Sequence, residues 1–195
     1  MTQDPEKPYH HGDLRAALLA VAEAELTERG VEAFSLRAVA KRAGVSHAAP
    51  AHHFVDAGGL LTALAAEGYR QFVATQLQRE AVAAPDAASQ MVAAGLGYVD
   101  FARMRPALFR LMFGSFRPDF ADPELSVAAR RAFVHLEQGV RACKAGADPQ
   151  EVAAVWAIAH GLADLMAAGR LHNLASLPEA ERDAALTVII SRMLP

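Results

Sequence analysis

Phe34-Ser35-Leu36-Arg37-Ala38-Val39-Ala40-Lys41-Arg42-Ala43-Gly44-Val45-Ser46-His47-Ala48-Ala49-Pro50-Ala51-His52-His53-Phe54 decides the fold of this 195-residue chain. The stretch reads as a short amphipathic helix, a tight turn and a second short helix. That is the plan of a helix-turn-helix, whose second helix enters the DNA major groove. Ser35 is placed to cap the first helix by accepting from an orphan backbone amide. Leu36, Val39, Ala40 and Ala43 recur at helical spacing and predict a core-facing side. Gly44 suits the position just past a helix end, where left-handed backbone is favoured. Ser46 is then placed to cap the helix that follows.

Between Ala33 and Val55 there is no acidic residue, whereas Arg37, Lys41, Arg42, His47, His52 and His53 all fall in that window. The whole chain carries a formal net charge of -3. A cationic window in a mildly acidic chain suits a phosphate-facing surface, because phosphate contacts supply most non-specific affinity for DNA. A solvated helical hairpin with ordinary surface charges has the same local pattern, so the surrounding sequence has to decide.

Upstream lies Tyr9-His10-His11-Gly12-Asp13-Leu14-Arg15, opening a helix that runs to Glu28-Arg29-Gly30; downstream, Asp56-Ala57-Gly58-Gly59-Leu60-Leu61 starts another. This order resembles the amino-terminal domain of TetR-family transcriptional regulators over residues 9 to 64. The opening Tyr-His-His-Gly-Asp-Leu-Arg and the run Gly44 to Pro50 resemble one subgroup, whose carboxy-terminal domain is named for a Trp-His-Gly signature. Trp156, His160 and Gly161 stand in the corresponding order here. Two positions depart from the family pattern. Ala51 stands where a tyrosine is usual and Ala57 where a lysine is usual, and the glutamate that normally follows the lysine is Gly58. Both usual residues touch the DNA backbone. Losing one cation flattens the log–log salt dependence by about one unit per half-site.

Composition agrees with an all-α protein. The hydrophobic fraction is 53% and the charged fraction 21%, with alanine abundant, and alanine is the best helix former. The expected architecture is an amino-terminal three-helix helix-turn-helix domain, joined by a long helix to a carboxy-terminal helical bundle, about nine helices in total. Residues 1–56 form the DNA-binding domain, with 1–8 a flexible arm, and residues 57–195 the ligand-binding and dimerisation domain. Gly146-Ala147-Asp148-Pro149 combines a stop, a cap and a first-turn proline, and predicts a helix start. No run is long and apolar enough for a membrane span, and Met1 to Pro8 is polar, without the apolar core of a secretion signal. Cys143 is the single cysteine, which fits a reducing cytoplasm.

Two features mark the carboxy-terminal half. Val155, Ile158, Leu162 and Leu165 fall at spacings of three, four and three, a stripe suited to helix pairing. Leu186, Ile189, Ile190 and Met193 offer a second seam, so both sets are expected at a homodimer interface. The opposite side of the first helix is also apolar (Val152, Trp156, Ala159, Ala163 and Met166), which leaves burial within one protomer as the alternative. The second feature is aromatic. Tyr98, Phe101, Phe109, Phe113, Phe116 and Phe120 lie within 23 residues. The resemblance implies an inducer site in this region, with Phe101, Phe109, Phe113, Trp156 and His160 as the candidate wall for an apolar or amphipathic small ligand. Filling the core is the simpler role for any one of these aromatics. His160 has Asp164 one turn away as a partner that needs no ligand.

Catalytic, metal and cofactor chemistry find no support. His10-His11 and His52-His53 are adjacent pairs that point in different directions on a helix, not the i, i+4 pairs that share one face. There is no phosphate-binding glycine loop and no nucleophile elbow. The reading is therefore a homodimeric DNA-binding regulator, in function a ligand-responsive repressor. Its partners are double-stranded DNA and an unidentified ligand, with no membrane. His47, Ala48 and His52 are placed to meet base edges. Ser35, Arg37, Ser46 and His53 are the phosphate candidates. A dimeric ligand-binding bundle with weakened DNA binding is the alternative, on the strength of Ala51 and Ala57.

Overall fold

A computed structural model describes residues 11–192 and 194, so the arm at residues 1–8 and the seam residue Met193 lie outside the described residues. Among those described, every regular element is a helix: α1 (His11–Arg29), α2 (Leu36–Arg42), α3 (Ala51–Phe54), α4 (Ala57–Glu80), α5 (Ala87–Met104), α6 (Pro106–Gly114), α7 (Pro123–Cys143), α8 (Pro149–Ala167), α9 (His172–Ala175) and α10 (Glu179–Ser191). That is one more than expected. The four residues of α9 are too few to show a helical period. No helix among the described residues is long and apolar enough to cross a membrane.

Local chemistry sets most of the boundaries. Ser35 Oγ accepts from the Ala38 amide at 3.1 Å, Asp86 Oδ1 from Ser89 at 2.9 Å and Asp122 Oδ1 from Leu125 at 2.9 Å. At α8, Asp148 and Glu151 form a reciprocal capping box with Pro149 in the first turn. Each such cap contributes about 1 kcal/mol. Gly44 closes α2 with φ of +69°, a conformation that costs other residues a Cβ clash.

The start of α3 differs from expectation. Ser46 does not cap it: the helix begins at Ala51, Pro50 occupies the cap position, and no side chain bonds there. Pro50 has no N–H to give to the Ser46 carbonyl, so the chain winds in by i to i−3 turns, Ala49 N to Ser46 O and Ala51 N to Ala48 O, both 3.1 Å.

One continuous buried cluster runs from Leu18 and Leu26 on α1, through Val39 and Phe54, to α4, α5, α6, α8 and α10. α4 is its spine. Leu60, Leu61 and Leu64 pack with the head, and Tyr69, Phe72 and Gln76 lie within the bundle. Arg79 near the end of α4 bonds Asp100 of α5 and Asp183 of α10, each at 2.7 Å, and so ties three helices together.

Candidate DNA-reading surface and effector cavity

α2 and α3 present the cationic window outward. Arg37, Lys41, Ser46, His47, Ala48 and His52 are exposed, and His53 is half-buried beside Phe54. Arg37 and Lys41 have no carboxylate within ion-pair distance among the described residues. Arg42 is spent differently: it reaches Glu28 of α1 at 2.7 Å and Glu25 at 3.8 Å. That pairing holds the Glu28 carboxyl below its usual range. Within the described α2–α3 window, the permanent positive charge without an ion-pair partner is therefore Arg37 and Lys41. Ser35, half-buried, uses a lone pair of its hydroxyl on the α2 cap and keeps the O–H as a donor. Ala51 is exposed and Ala57 half-buried, and neither side chain offers a donor or a charge to a phosphate.

The orientation of α3 is fixed from behind. Phe54 is buried, and the Arg15 guanidinium lies 5.6 Å from its ring centre. Asp56 Oδ1 caps α4 through the Gly59 amide at 2.8 Å. Between the two helices, Val55 takes φ of +64° and ψ of −59°, and the Asp56 amide bonds Phe54 O at 2.7 Å, which is a γ-turn. A β-branched residue in this conformation stores about 1–3 kcal/mol. Val55 is 83% exposed and packs against little that would offset the strain. Val55→Gly is accordingly expected to stabilise the protein by about 1 kcal/mol after glycine's own entropy cost, seen as a higher urea midpoint. A lowered urea midpoint would contradict the strain.

In the bundle, two adjoining cavities share Tyr69, Phe113 and Trp156 as walls. The inner one, of ≈ 370 Å³, adds Phe72, Gln76, Tyr98, Arg130, Phe133 and Leu136. The outer one, of ≈ 690 Å³, adds Met112, Phe116, Phe120 and His160. Of the five expected wall residues, Phe113, Trp156 and His160 line these spaces. Phe101 and Phe109 do not: both are fully buried. Phe101 stands edge-on to Phe72 at 5.4 Å, and Phe109 stacks on the His160 ring at 5.3 Å. They back the wall and fill the core. Sequence reasoning missed Tyr69, Phe72 and Gln76 on α4 and Phe133 on α7. A signal was present in α4, where Tyr69, Phe72 and Gln76 at i, i+3 and i+7 form a stripe that ends in a polar residue.

Trp156 and His160, one turn apart on α8, converge on Tyr98 of α5. Trp156 Nε1 can only donate, so the Tyr98 oxygen accepts there at 3.3 Å and sends its proton to His160 Nδ1 at 2.9 Å. The proton of neutral His160 is then on Nε2. Burial lowers the His160 pKa from its ordinary 6.5, with Asp164 opposing weakly, and burial pushes the Tyr98 phenol far up. The folded state thus resists protonating His160 while the unfolded chain accepts it. Stability is expected to fall as pH drops through about 6.5, where the unfolded state binds more protons. His160→Gln should flatten that part of the profile. Identical urea midpoints versus pH in both proteins would contradict it.

On α8 the two apolar faces divide differently from the expected stripe. Val155 and Leu162 turn inward with Val152, Ala159, Ala163 and Met166, while Ile158 and Leu165 stay 48% and 44% exposed. Leu186 and Ile190 of α10 are buried within the protomer, Ile189 is half-buried and Val188 is exposed. A helix apolar on all sides fits two phases of a three-four repeat, and only packing selects one. Gly161 lies on the outward side, and a Cβ there would meet nothing within 4 Å.

A family profile described as bacterial regulatory proteins, tetR family, matches residues 18–64, and one described as tetracyclin repressor-like, C-terminal domain, matches residues 91–193. A protein of unknown function from Rhodococcus sp. RHA1 is 34% identical, with 97% of this chain and 99% of that one covered and a TM-score of 0.78. Two less similar structures share the fold. One is a TetR-like transcriptional regulator from Rhodococcus sp. RHA1, at 14% identity, 94% and 97% coverage and a TM-score of 0.67. The other is a TetR family transcription regulator from Marinobacter aquaeolei VT8, at 18% identity, 92% and 94% coverage and a TM-score of 0.69. No curated protein matches the chain.

Proposed function

Because the chain belongs to the tetR family of bacterial regulatory proteins, we propose that this DNA-binding transcriptional regulator is a cytoplasmic, homodimeric repressor released by a small ligand. Each protomer lays α3 and the turn before it in one major groove of a two-fold-symmetric operator, with half-sites about 34–36 Å apart. His47, Ala48 and His52 meet base edges, and the methyl of Ala48 suits a thymine methyl. Arg37, Lys41, Ser35, Ser46 and His53 take the phosphates. The carboxy-terminal half is of the Trp-His-Gly kind. In physical terms that signature is a donor, Trp156, and an acceptor, His160, one turn apart on the Tyr98 hydroxyl, followed by a glycine facing outward.

The observation that carries ligand response is the position of α6. Its far end supplies Met112 and Phe113 to the cavities, while Arg105, at its start, is ion-paired with Glu23 of α1. A second tie joins Arg15 of α1 to Glu124 of α7 at 2.8 Å, and Glu124 also holds Arg70 of α4 at 3.0 Å. Whatever displaces α6 therefore pulls on α1, against which α2 packs. A ligand changes operator affinity only by preferring one arrangement. Calorimetry showing that it binds equally tightly with and without operator would refute the coupling.

The second copy docks on the outward face of α8, Ala154, Ile158, Gly161 and Leu165, extended by Val188 of α10. A mid-helix glycine costs about 1 kcal/mol relative to alanine, and no contact inside the protomer requires one at Gly161. Close approach of another backbone gives it a purpose. DNA contact is tested with Arg37→Ala: removing one phosphate partner from each half-site should reduce the log–log salt slope by about two units per dimer. An unchanged slope would remove Arg37 from the interface.

A further inference from the structure

The inner cavity has a charge pattern that narrows what it accepts. Its wall is aromatic, with rings from Tyr69, Phe72, Tyr98, Phe113, Phe133 and Trp156. One charged side chain, Arg130 of α7, stands at its rim, and no carboxylate lines it. Arg130 is exposed and makes no ion pair or hydrogen bond among the described residues, unlike Arg141 one helix stretch away, which holds Glu137 at 2.9 Å. Glu80 lines a separate cavity that also includes Gln76 and is bonded to His135 at 2.8 Å, and Glu137, beside the lining residue Leu136, is held by Arg141.

At the inner end Gln76 is 5% exposed, yet its amide makes a single long bond, Nε2 to Phe72 O at 3.5 Å. Gln76 lines both this cavity and the neighbouring one, and its amide oxygen accepts no hydrogen bond among the described residues, so it is available to a ligand's donor.

From this pattern we propose that the effector is an organic carboxylate with a ring-bearing apolar body. The body lies among the aromatic rings, the carboxylate meets the Arg130 guanidinium, and a hydrogen-bond donor on a substituent, where the ligand has one, meets Gln76. The proposal rests on the reading of this cavity as the effector site. Aromatic walls by themselves also attract cations. Here a cationic ligand would face Arg130 with no carboxylate to pair with, and burying an unpaired charge is strongly unfavourable. A guanidinium takes a carboxylate through two parallel bonds, a geometry that an amide or an ammonium does not reproduce.

Trp156 is the only tryptophan and lines the cavity, so its emission reads occupancy in the full-length protein. Phenylbutanoate, phenylbutanamide and phenylbutylammonium share one body and differ in charge, and each is titrated near neutral pH. The acid is expected to bind about fivefold tighter than the amide, and the ammonium to bind weakest. Arg130→Gln, at an exposed position that folding tolerates, should bring the acid to the affinity of the amide and leave the amide unchanged. If the amide or ammonium matches the acid, or if Arg130→Gln keeps the acid preference, the anion class is overturned while the cavity stands as a binding site. If none of the three probes alters Trp156 emission or releases heat in calorimetry, the effector site itself is overturned along with its ligand class.

Discussion

Gly59→Ala is expected to abolish sequence-specific DNA binding while leaving the carboxy-terminal bundle folded. A Cβ at position 59 would lie 2.0 Å from the Phe54 carbonyl oxygen, and that oxygen belongs to the backbone at the end of α3. No side chain can rotate out of the way, so α3 must move against α4. Overpacking of this kind costs about 1–3 kcal/mol in stability. Its larger effect is on recognition, because α3 is held at this junction by Phe54, the strained turn at Val55 and the Asp56 cap together. Displacing it by an ångström removes the base contacts of both half-sites. At about 1–3 kcal/mol for each good base contact, operator affinity should drop by at least about 100-fold. Gly58→Ala is the internal control. Its Cβ would meet only Asp56 Oδ1, at 3.2 Å, a side-chain atom that can give by a few tenths of an ångström while keeping its cap, and operator binding is expected to stay within about threefold, in line with ordinary surface substitutions. Equal operator affinity for Gly59→Ala and the parent protein would show that the junction does not set the reading pose.

The second large effect concerns assembly. The double variant Ile158→Arg, Leu165→Arg is expected to be a folded monomer in light scattering, and to lose operator binding by at least about 100-fold because one half-site cannot hold the protein. Four guanidinium groups would meet across the two-fold axis, and charge without a partner in an apolar contact is expelled. Both parent residues are about half exposed, so the protomer itself has room for the replacements. Leu162, which belongs to the same stripe by spacing, is the contrast. It is buried within its own protomer, and Leu162→Arg is expected to unfold the bundle, not to split the dimer. A folded dimer from the double variant would move the interface elsewhere.

What the sequence made legible is chemistry that acts within a few residues. Ser35, Gly44, Asp86 and the Asp148-Pro149 start all do what their types suggest, because a cap or a positive-φ turn depends only on the adjacent backbone. Where Pro50 and Ser46 both bid for the start of α3, the missing N–H of the proline prevailed over the capping serine. The phase of α8 was not legible, since a helix apolar on every side has no unique inward face and the neighbours α5 and α7 choose it. The cavity was half legible. Phe101, Phe109 and Phe113 are equivalent in sequence, yet two fill the core and one faces space, a distinction set by where α5, α6 and α8 meet. Gln76, at the centre of the proposed ligand chemistry, is one of several polar residues along α4, and its meaning depends on packing that brings Tyr98 and Phe113 to the same cavity. Arg42 carries the opposite lesson: it counts as a DNA-facing cation by position but is held by Glu28.

The central claim is that the exposed α2–α3 surface of a dimer reads a two-fold-symmetric operator even with alanine at positions 51 and 57. Duplexes recovered by selection from random sequence, measured by fluorescence anisotropy across a salt series beside a scrambled control, test it directly. The account predicts one symmetric sequence bound at least about 1,000-fold tighter than the scramble, with affinity falling steeply as salt rises. Recovery of no symmetric sequence, with equal and weak binding to every duplex, would contradict it and leave a ligand-binding bundle that has lost its operator.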